Sequence, residues 1–391
     1  MLTSLALIFI LGLSLGTIAE KLKLPKLIGM IIAGIILSPY FLNLLDGNIM
    51  SISSDLRRLA LVIILTRAGL SLDIKELKKV GRPAVLMCFL PATLEMIGVI
   101  LIGPRLLGIS YLEAAIIGST LAAVSPAVIV PRMIKIMEEG YGNKKSIPQL
   151  VLAGASIDDI FVIVMFTAFT SLAVGDKVSI GSFLEIPTSI ITGILLGVIV
   201  GGILVKCFKK VNLRDTVKVV ILLSISFLLL EFENSVSGFI KVSGLLAIMS
   251  MGLTIYSKNK RLSEELSKKY DKLWIPAEII LFVLIGAIVD LNYIKDSGVK
   301  AILLILFALV FRIIGVFICL IKTDLNIKER IFCSIAYLPK ATVQAAIGGL
   351  PLAMGLSCGN IVLTVALLSI LITAPIGAFL VDIYYKKLLE K

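Results

Sequence analysis

Long apolar runs recur along the whole chain, and they limit what it can become more than any other feature. Runs of 17–25 residues with few charges match the roughly 20 residues that a helix needs to cross a ~30 Å hydrocarbon layer. The chain has 391 residues, 58% of them apolar and 16% charged, with a mean hydropathy of +1.06. A soluble domain would carry about 25% charged residues. The pattern predicts an all-α polytopic membrane protein. Thirteen spans are expected, at about 2–18, 27–45, 58–72, 83–104, 112–134, 148–174, 180–205, 216–232, 239–257, 273–291, 299–321, 329–350 and 359–383.

Loop charge orients these spans. The net charge of +12 would otherwise suggest a nucleic-acid partner, but the basic residues sit in short loops between apolar runs, so no nucleic acid is expected. Sorting the 38 Lys and Arg residues alternately to the two sides puts about 28 on one side and about seven on the other, with three deep in spans. The rich side holds Lys21 to Lys23, Lys75 to Arg82, Lys144-Lys145, Lys206 to Lys218, Lys258 to Lys272, Lys328 to Arg330 and Lys386-Lys387. That bias predicts a cell (plasma) membrane protein with its N-terminus outside and its C-terminus in the cytoplasm. The first apolar run lacks a basic start, so no cleavable signal is expected. Cys88, Cys207, Cys319, Cys333 and Cys358 are scattered without CxxC spacing and read as small core residues. There is no histidine, so proton chemistry near neutral pH falls to carboxylates or lysine.

An internal repeat is visible at a separation of 217 residues. Gly69, Asp73, Gly81, Ala84 and Gly98 match Gly286, Asp290, Gly298, Ala301 and Gly315, and Ile97 and Val99 match Ile314 and Val316. It relates spans three and four to spans ten and eleven. Seven spans is an odd number, so the copies cross the membrane in opposite directions, as in secondary transporters with midplane sites. The same offset pairs Glu95 with Arg312, each about twelve residues into its span. Opposite charges at equal depth predict a buried ion pair, read here as a clamp between two helices, with a switch that exchanges partners with Asp158 during transport as the alternative.

The chemistry centres on Asp158-Asp159, in an apolar stretch from about Pro148 to Val174. At 1.5 Å per residue, Asp158 lies about 15 Å in from Pro148, near mid-membrane. A charge there costs several kcal/mol, so intramembrane carboxylates mark ion or proton paths. The two acids lie about 100° apart on a helix, so one is expected to face the interrupted helices and the other a neighbour such as Lys340 or Arg312. Span five carries Ser119-Thr120-Leu121-Ala122-Ala123-Val124-Ser125-Pro126, and span twelve carries Ala336-Tyr337-Leu338-Pro339-Lys340-Ala341-Thr342-Val343-Gln344. Pro126 and Pro339 predict interruptions in matching positions of two inverted halves, where unwound carbonyls can ligate a cation. Lys340 is expected to pair with helix C-terminal carbonyls. Oxygen ligands of these kinds suit Na⁺ or Li⁺. Arg67 and Glu278, near inner span ends, are expected to snorkel to the interface, and Lys258 to Glu265 to form a solvated connector.

Three stretches together carry a resemblance: Ser125 to Pro131 (SPAVIVP), Ala155 to Ile160 (ASIDDI) and Leu338 to Gly348 (LPKATVQAAIG). In order and spacing the chain resembles the cation:proton antiporter superfamily, in the sodium/hydrogen exchanger branch with an Asp-Asp motif. The resemblance covers nearly the whole chain. It implies a thirteen-helix fold with crossed broken helices at spans five and twelve, and an elevator-type motion. It also implies an ion-translocating core domain, about 58–174 and 273–383, and a dimerisation domain, about 1–57 and 180–257. By the same resemblance Asp159 is the site of competing cation and proton binding, Asp158 its partner, and Thr120 and Ser125 contribute near the break. Electrogenic relatives carry a lysine on span eleven that pairs with the first aspartate. Here that span offers Arg312, with Glu95 as its expected partner, so Asp158 is left without a basic partner.

These readings predict a homodimeric secondary antiporter exchanging Na⁺ or Li⁺ for H⁺, with no enzymatic activity and no cofactor. Two alternatives remain. A Na⁺-coupled symporter of an organic solute would offer more aromatic and hydrogen-bonding groups around the breaks. A K⁺/H⁺ exchanger or K⁺ efflux protein would need a regulatory domain, expected here as a separate polypeptide.

Overall fold

The structure is a computed structural model that describes residues 1–71, 81–174, 180–211, 213–235 and 242–391, without the side chains at 156, 180–187, 234, 292 and 296. Asp73 of the repeat, the basic loop from Lys75 and the first residues of the ninth expected span, 239–241, lie outside the described residues. The described chain is helical throughout. In order the main helices are α1 (Leu2–Lys21), α2 (Lys26–Leu37), α3 (Ser53–Ser71), α4 (Arg82–Leu107, with a turn at Cys88-Phe89), α5 (Tyr111–Leu121), α6 (Pro126–Glu138), α7 (Ile147–Val174) and α8 (Ile180–Lys210). They continue with α9 (Asp215–Ser235), α10 (Gly244–Lys258), α11 (Lys260–Ala287), α12 (Leu291–Cys319), α13 (Ile327–Ala336), α14 (Thr342–Ile347) and α15 (Gly359–Leu388). Among the described residues, seven helical stretches are long and apolar enough to cross a membrane, including Tyr111–Glu138, Ile147–Val174 and Gly359–Leu388.

Two compact units share the chain. One takes in the described residues of 1–54, 74–173 and 279–391, and the other those of 55–73 and 174–278. In the first unit α4 packs along α12. An ideal Cβ on Gly98 would lie 2.6 Å from the Phe311 ring, and one on Gly315 would lie 2.7 Å from Pro91 Cα. These two repeat-related glycines therefore let two helices approach more closely than any larger residue permits. The repeat also holds where sequence identity has faded. Gly69 of α3 sits against the Met249 carbonyl on α10, and Gly286 of α11 sits against the Ile31 carbonyl on α2. Met249 and Ile31 differ by 218 positions, within one residue of the repeat offset.

Three expectations are corrected. The second span ends at Leu37, short of 45, because Ser38 precedes Pro39 and is held extended at φ −60°, ψ 156°. The segment from Lys258 is not a solvated connector. It enters α11 at Lys260 and buries Leu262, Leu266, Tyr270 and Trp274 in one stripe at four-residue spacing. Ser263 Oγ donates to the Leu70 carbonyl at 2.7 Å within the same unit. Arg67 does more than snorkel: its Nε lies 2.6 Å from Asp271 Oδ1, with both side chains part-exposed. Glu278 is half-buried in α11. Of the cysteines, Cys88, Cys319, Cys333 and Cys358 are buried, whereas Cys207 is exposed.

Candidate functional site

The site is built where two helices stop and restart. α5 ends at Leu121, and α6 begins at Pro126 with Ser125 extended before it, at φ −92°, ψ 108°. Proline disfavours helical geometry in the residue before it and suits the first position of a new helix, where no N–H is needed. α13 ends at Ala336, and α14 restarts at Thr342 after Leu338-Pro339-Lys340. The two interruptions touch through the backbone, with Ser125 N–H donating to the Pro339 carbonyl at 2.8 Å.

Each interruption strands carbonyls that a continuous helix would have paired. Most at the first break are taken up by side chains. Gln344 Nε2 donates to Leu121 O at 3.1 Å and to Ala123 O at 2.9 Å, and Arg312 Nη1 donates to Ala122 O. At the second break Arg312 Nε donates to Tyr337 O at 2.6 Å, and Lys340 N–H donates to Thr373 Oγ1 at 2.9 Å. The expectation that unwound carbonyls stand open for a cation therefore does not hold for Leu121, Ala122 and Ala123.

Arg312 on α12 is the hub. Its Nη1 lies 2.6 Å from Glu95 Oε2, and its Nη2 lies 3.0 Å from Asp158 Oδ2. Its guanidinium also stacks over the Tyr337 ring, 5.4 Å from the centroid. Arg312, Glu95, Asp158 and Lys340 are all fully buried. Asp158 therefore has a basic partner, because a guanidinium presents several donors in one plane and serves two carboxylates together. Lys340 also departs from expectation. Its Nζ lies 2.7 and 2.9 Å from the two oxygens of Glu95, since a buried ammonium gains more from a carboxylate than from neutral carbonyls. Asp158 Oδ2 further accepts the Val124 N–H at 2.8 Å.

Counting charges isolates one group. Arg312 and Lys340 are matched by Glu95 and Asp158, two against two, all within hydrogen-bond distance. Asp159 is a fifth charge. It makes no hydrogen bond or ion pair among the described residues, and its Oδ1 is buried without a partner. Ser125 Oγ is likewise buried and unpaired. Thr120 is buried, and its hydroxyl donates to Ile116 O at 2.9 Å within α5. Gln344 and Tyr337 are site residues that the sequence reading did not single out. The available signal for Gln344 was a polar amide in the second interrupted stretch, able to replace lost backbone donors of the first.

The sequence profile described as sodium/hydrogen exchanger, transmembrane, matches residues 5–387. The chain belongs to this family. It is a multi-pass membrane protein of the cation:proton antiporter superfamily. Sodium/hydrogen exchanger 9B2 of Homo sapiens is 34% identical over 385 residues, spanning 94% of this chain and 70% of the relative. Sodium/hydrogen exchanger 9B1 of Homo sapiens is 32% identical, spanning 94% and 73%. In three dimensions the chain is similar to the sodium proton antiporter MjNhaP1 of Methanocaldococcus jannaschii at pH 8. The TM-score is 0.85 at 20% identity, covering 99% of this chain and 98% of that one. That likeness establishes the antiporter fold.

Proposed function

We propose that this sodium/hydrogen exchanger family member trades Na⁺ (or Li⁺) for H⁺ by alternating access, with both ions competing for the carboxylate of Asp159. The observation that carries the reading is the charge tally. The buried set of Arg312, Lys340, Glu95 and Asp158 is neutral, so the state of Asp159 decides the net charge of the moving unit. Bound to a proton or to a monovalent cation, the site is neutral. Empty and ionised, it carries one negative charge, which costs at least about 2.5 kcal/mol at mid-membrane. That difference couples the two fluxes, because the loaded forms cross readily and the empty form does not. Asp158 orients the first interruption through Val124 N–H, and Ser125 Oγ, with no other partner, supplies a neutral oxygen near the break. Thr120 contributes through the packing of α5.

Because Arg312 does not release its proton under physiological conditions, Asp158 stays in its pair, and one proton exchanges for one cation. The reading includes thirteen crossings with the two broken helices crossing at mid-membrane. It also includes an elevator-type core at about 58–174 and 273–383, and a homodimer formed through about 1–57 and 180–257. The N-terminus lies outside the plasma membrane and the C-terminus in the cytoplasm. Na⁺ as the ion is supported by the names of the relatives and by the hard oxygen donors of the site.

The test is exchange in proteoliposomes carrying a pH-sensitive dye. Na⁺-driven proton movement is expected in the wild type and lost in Asp159→Asn; undiminished exchange in that variant defeats the mechanism. Clamping the potential with valinomycin and K⁺ is expected to leave the rate unchanged, and a potential-dependent rate rules out one-for-one exchange.

A further inference from the structure

Tyr337 follows the last residue of α13, and its side chain is fully buried. Three of its parts meet three different partners. Its carbonyl accepts from Arg312 Nε at 2.6 Å. Its ring lies under the same guanidinium, 5.4 Å from Arg312 Cζ. Its hydroxyl enters a notch on α7 that exists only because residue 154 is glycine. An ideal Cβ there would overlap Tyr337 Oη, would lie 3.2 Å from Tyr337 Cζ and would lie 2.8 Å from Met87 Cβ. Gly154 is one helical turn before Asp158, so notch and carboxylate share a face of α7. The hydroxyl has no hydrogen-bond partner. A buried, unpaired hydroxyl is a cost that calls for a compensating role, and here it acts as the tip of a wedge.

We propose that Tyr337 is a positioning residue for Arg312: its hydroxyl end, seated in the Gly154 notch, fixes the ring and carbonyl that hold the guanidinium between Glu95 and Asp158. The inference rests on the exchange reading, since it deepens how that site is set. It assigns functions to two residues, Tyr337 and Gly154, that contact neither ion. The chain of contact is short and rigid. α7 seats Tyr337, Tyr337 orients Arg312, and Arg312 returns to α7 at Asp158, 3.0 Å away. A wedge displaced by one methyl group moves the guanidinium relative to two carboxylates at once. The charged and titratable groups facing Asp158 are Arg312 on α12, Lys340 in the second interruption, Asp159 beside it, Cys88 in the turn of α4 and the Tyr337 phenol itself. Glu95 on α4 faces it across Arg312.

The test is a compensation cycle on the full-length protein, with Gly154→Ala, Tyr337→Phe and the double variant. Gly154→Ala drives a methyl into the hydroxyl. It is expected to cut the maximal exchange rate about tenfold, to displace the pH of half-maximal exchange, and to lower the melting temperature by about 3 °C or more. The profile moves because the distance between the guanidinium and the carboxylates changes. Tyr337→Phe keeps the ring and carbonyl and is expected to cost less than about threefold. In the double variant the lost oxygen makes room for the methyl, so at least half of each Gly154→Ala defect is recovered. Met87 Cβ keeps that recovery incomplete. A double variant no better than Gly154→Ala in pH profile and melting temperature overturns the proposal. Recovery of melting temperature without recovery of the pH profile also overturns it, leaving a packing contact alone. Absence of exchange in the wild type would count against the exchange reading instead, and a double variant that recovers none of the lost melting temperature would still overturn the wedge.

Discussion

Around Asp158 every buried charge has its opposite within 3.0 Å, whereas Asp159, the next residue on α7, has no hydrogen bond or ion pair among the described residues. Covalent neighbours thus sit in two different settings, because a helix turns successive side chains about 100° apart. One face of α7 meets both interruptions and the α4–α12 contact, where Arg312 and Lys340 enter. Among the described residues neither cation makes an ion pair with Asp159. Two adjacent acids of the same kind are thereby set apart. One is held by Arg312 and by the Val124 N–H, and the other leaves an oxygen buried without a partner, which is the division that the proposed exchange uses.

This division predicts a series of stabilities that runs opposite to the series of activities. Arg312→Met should have the largest effect, since it leaves Glu95 and Asp158 facing each other without their shared donor. A loss of about 3–5 kcal/mol is expected, read as a collapsed melting temperature or a failure to purify as a folded protein. Glu95→Gln should follow, at about 2–3 kcal/mol, because two cations then share one carboxylate while the amide retains an acceptor oxygen. Asp158→Asn should cost less, about 1–3 kcal/mol, since an amide oxygen still accepts the Val124 N–H and only the ionic part of the Arg312 contact is lost. Asp159→Asn should be the smallest, within about 0.5 kcal/mol of wild type or more stable, because it removes a charge that nothing balances. Equal destabilisation by Asp158→Asn and Asp159→Asn in thermal melts would erase the distinction between the two faces.

Much of this arrangement was legible in the residues. Apolar run length marked the long helices, and the prolines at 126 and 339 marked both interruptions, because proline's effect on its neighbour is local. The 217-residue offset alone places Glu95 opposite Arg312, and the two are 2.6 Å apart. What it could not give was sharing. A one-to-one pairing satisfies two charges on paper, but a guanidinium has five N–H donors, and only packing decides that Asp158 and Tyr337 receive some of them. The Lys340–Glu95 contact has no sequence signal for the same reason, since it depends on how α4 meets the second break. The amphipathic start of α11 was overlooked because Lys258 to Lys272 is dense in charge, although Leu262, Leu266 and Tyr270 trace a buried stripe through it. The Gly154 notch has no sequence signature at all, as glycine is common in membrane helices and its meaning comes from what occupies the space.

The central claim is that Asp159 alone exchanges a proton for the cation while Asp158 remains paired. Its most direct test is the proton release that follows Na⁺ addition to purified protein in weakly buffered detergent solution, read with a pH dye. The account predicts about one proton per bound cation in the wild type, a clear release in Asp158→Asn and none in Asp159→Asn. Release that persists in Asp159→Asn and disappears in Asp158→Asn would contradict it.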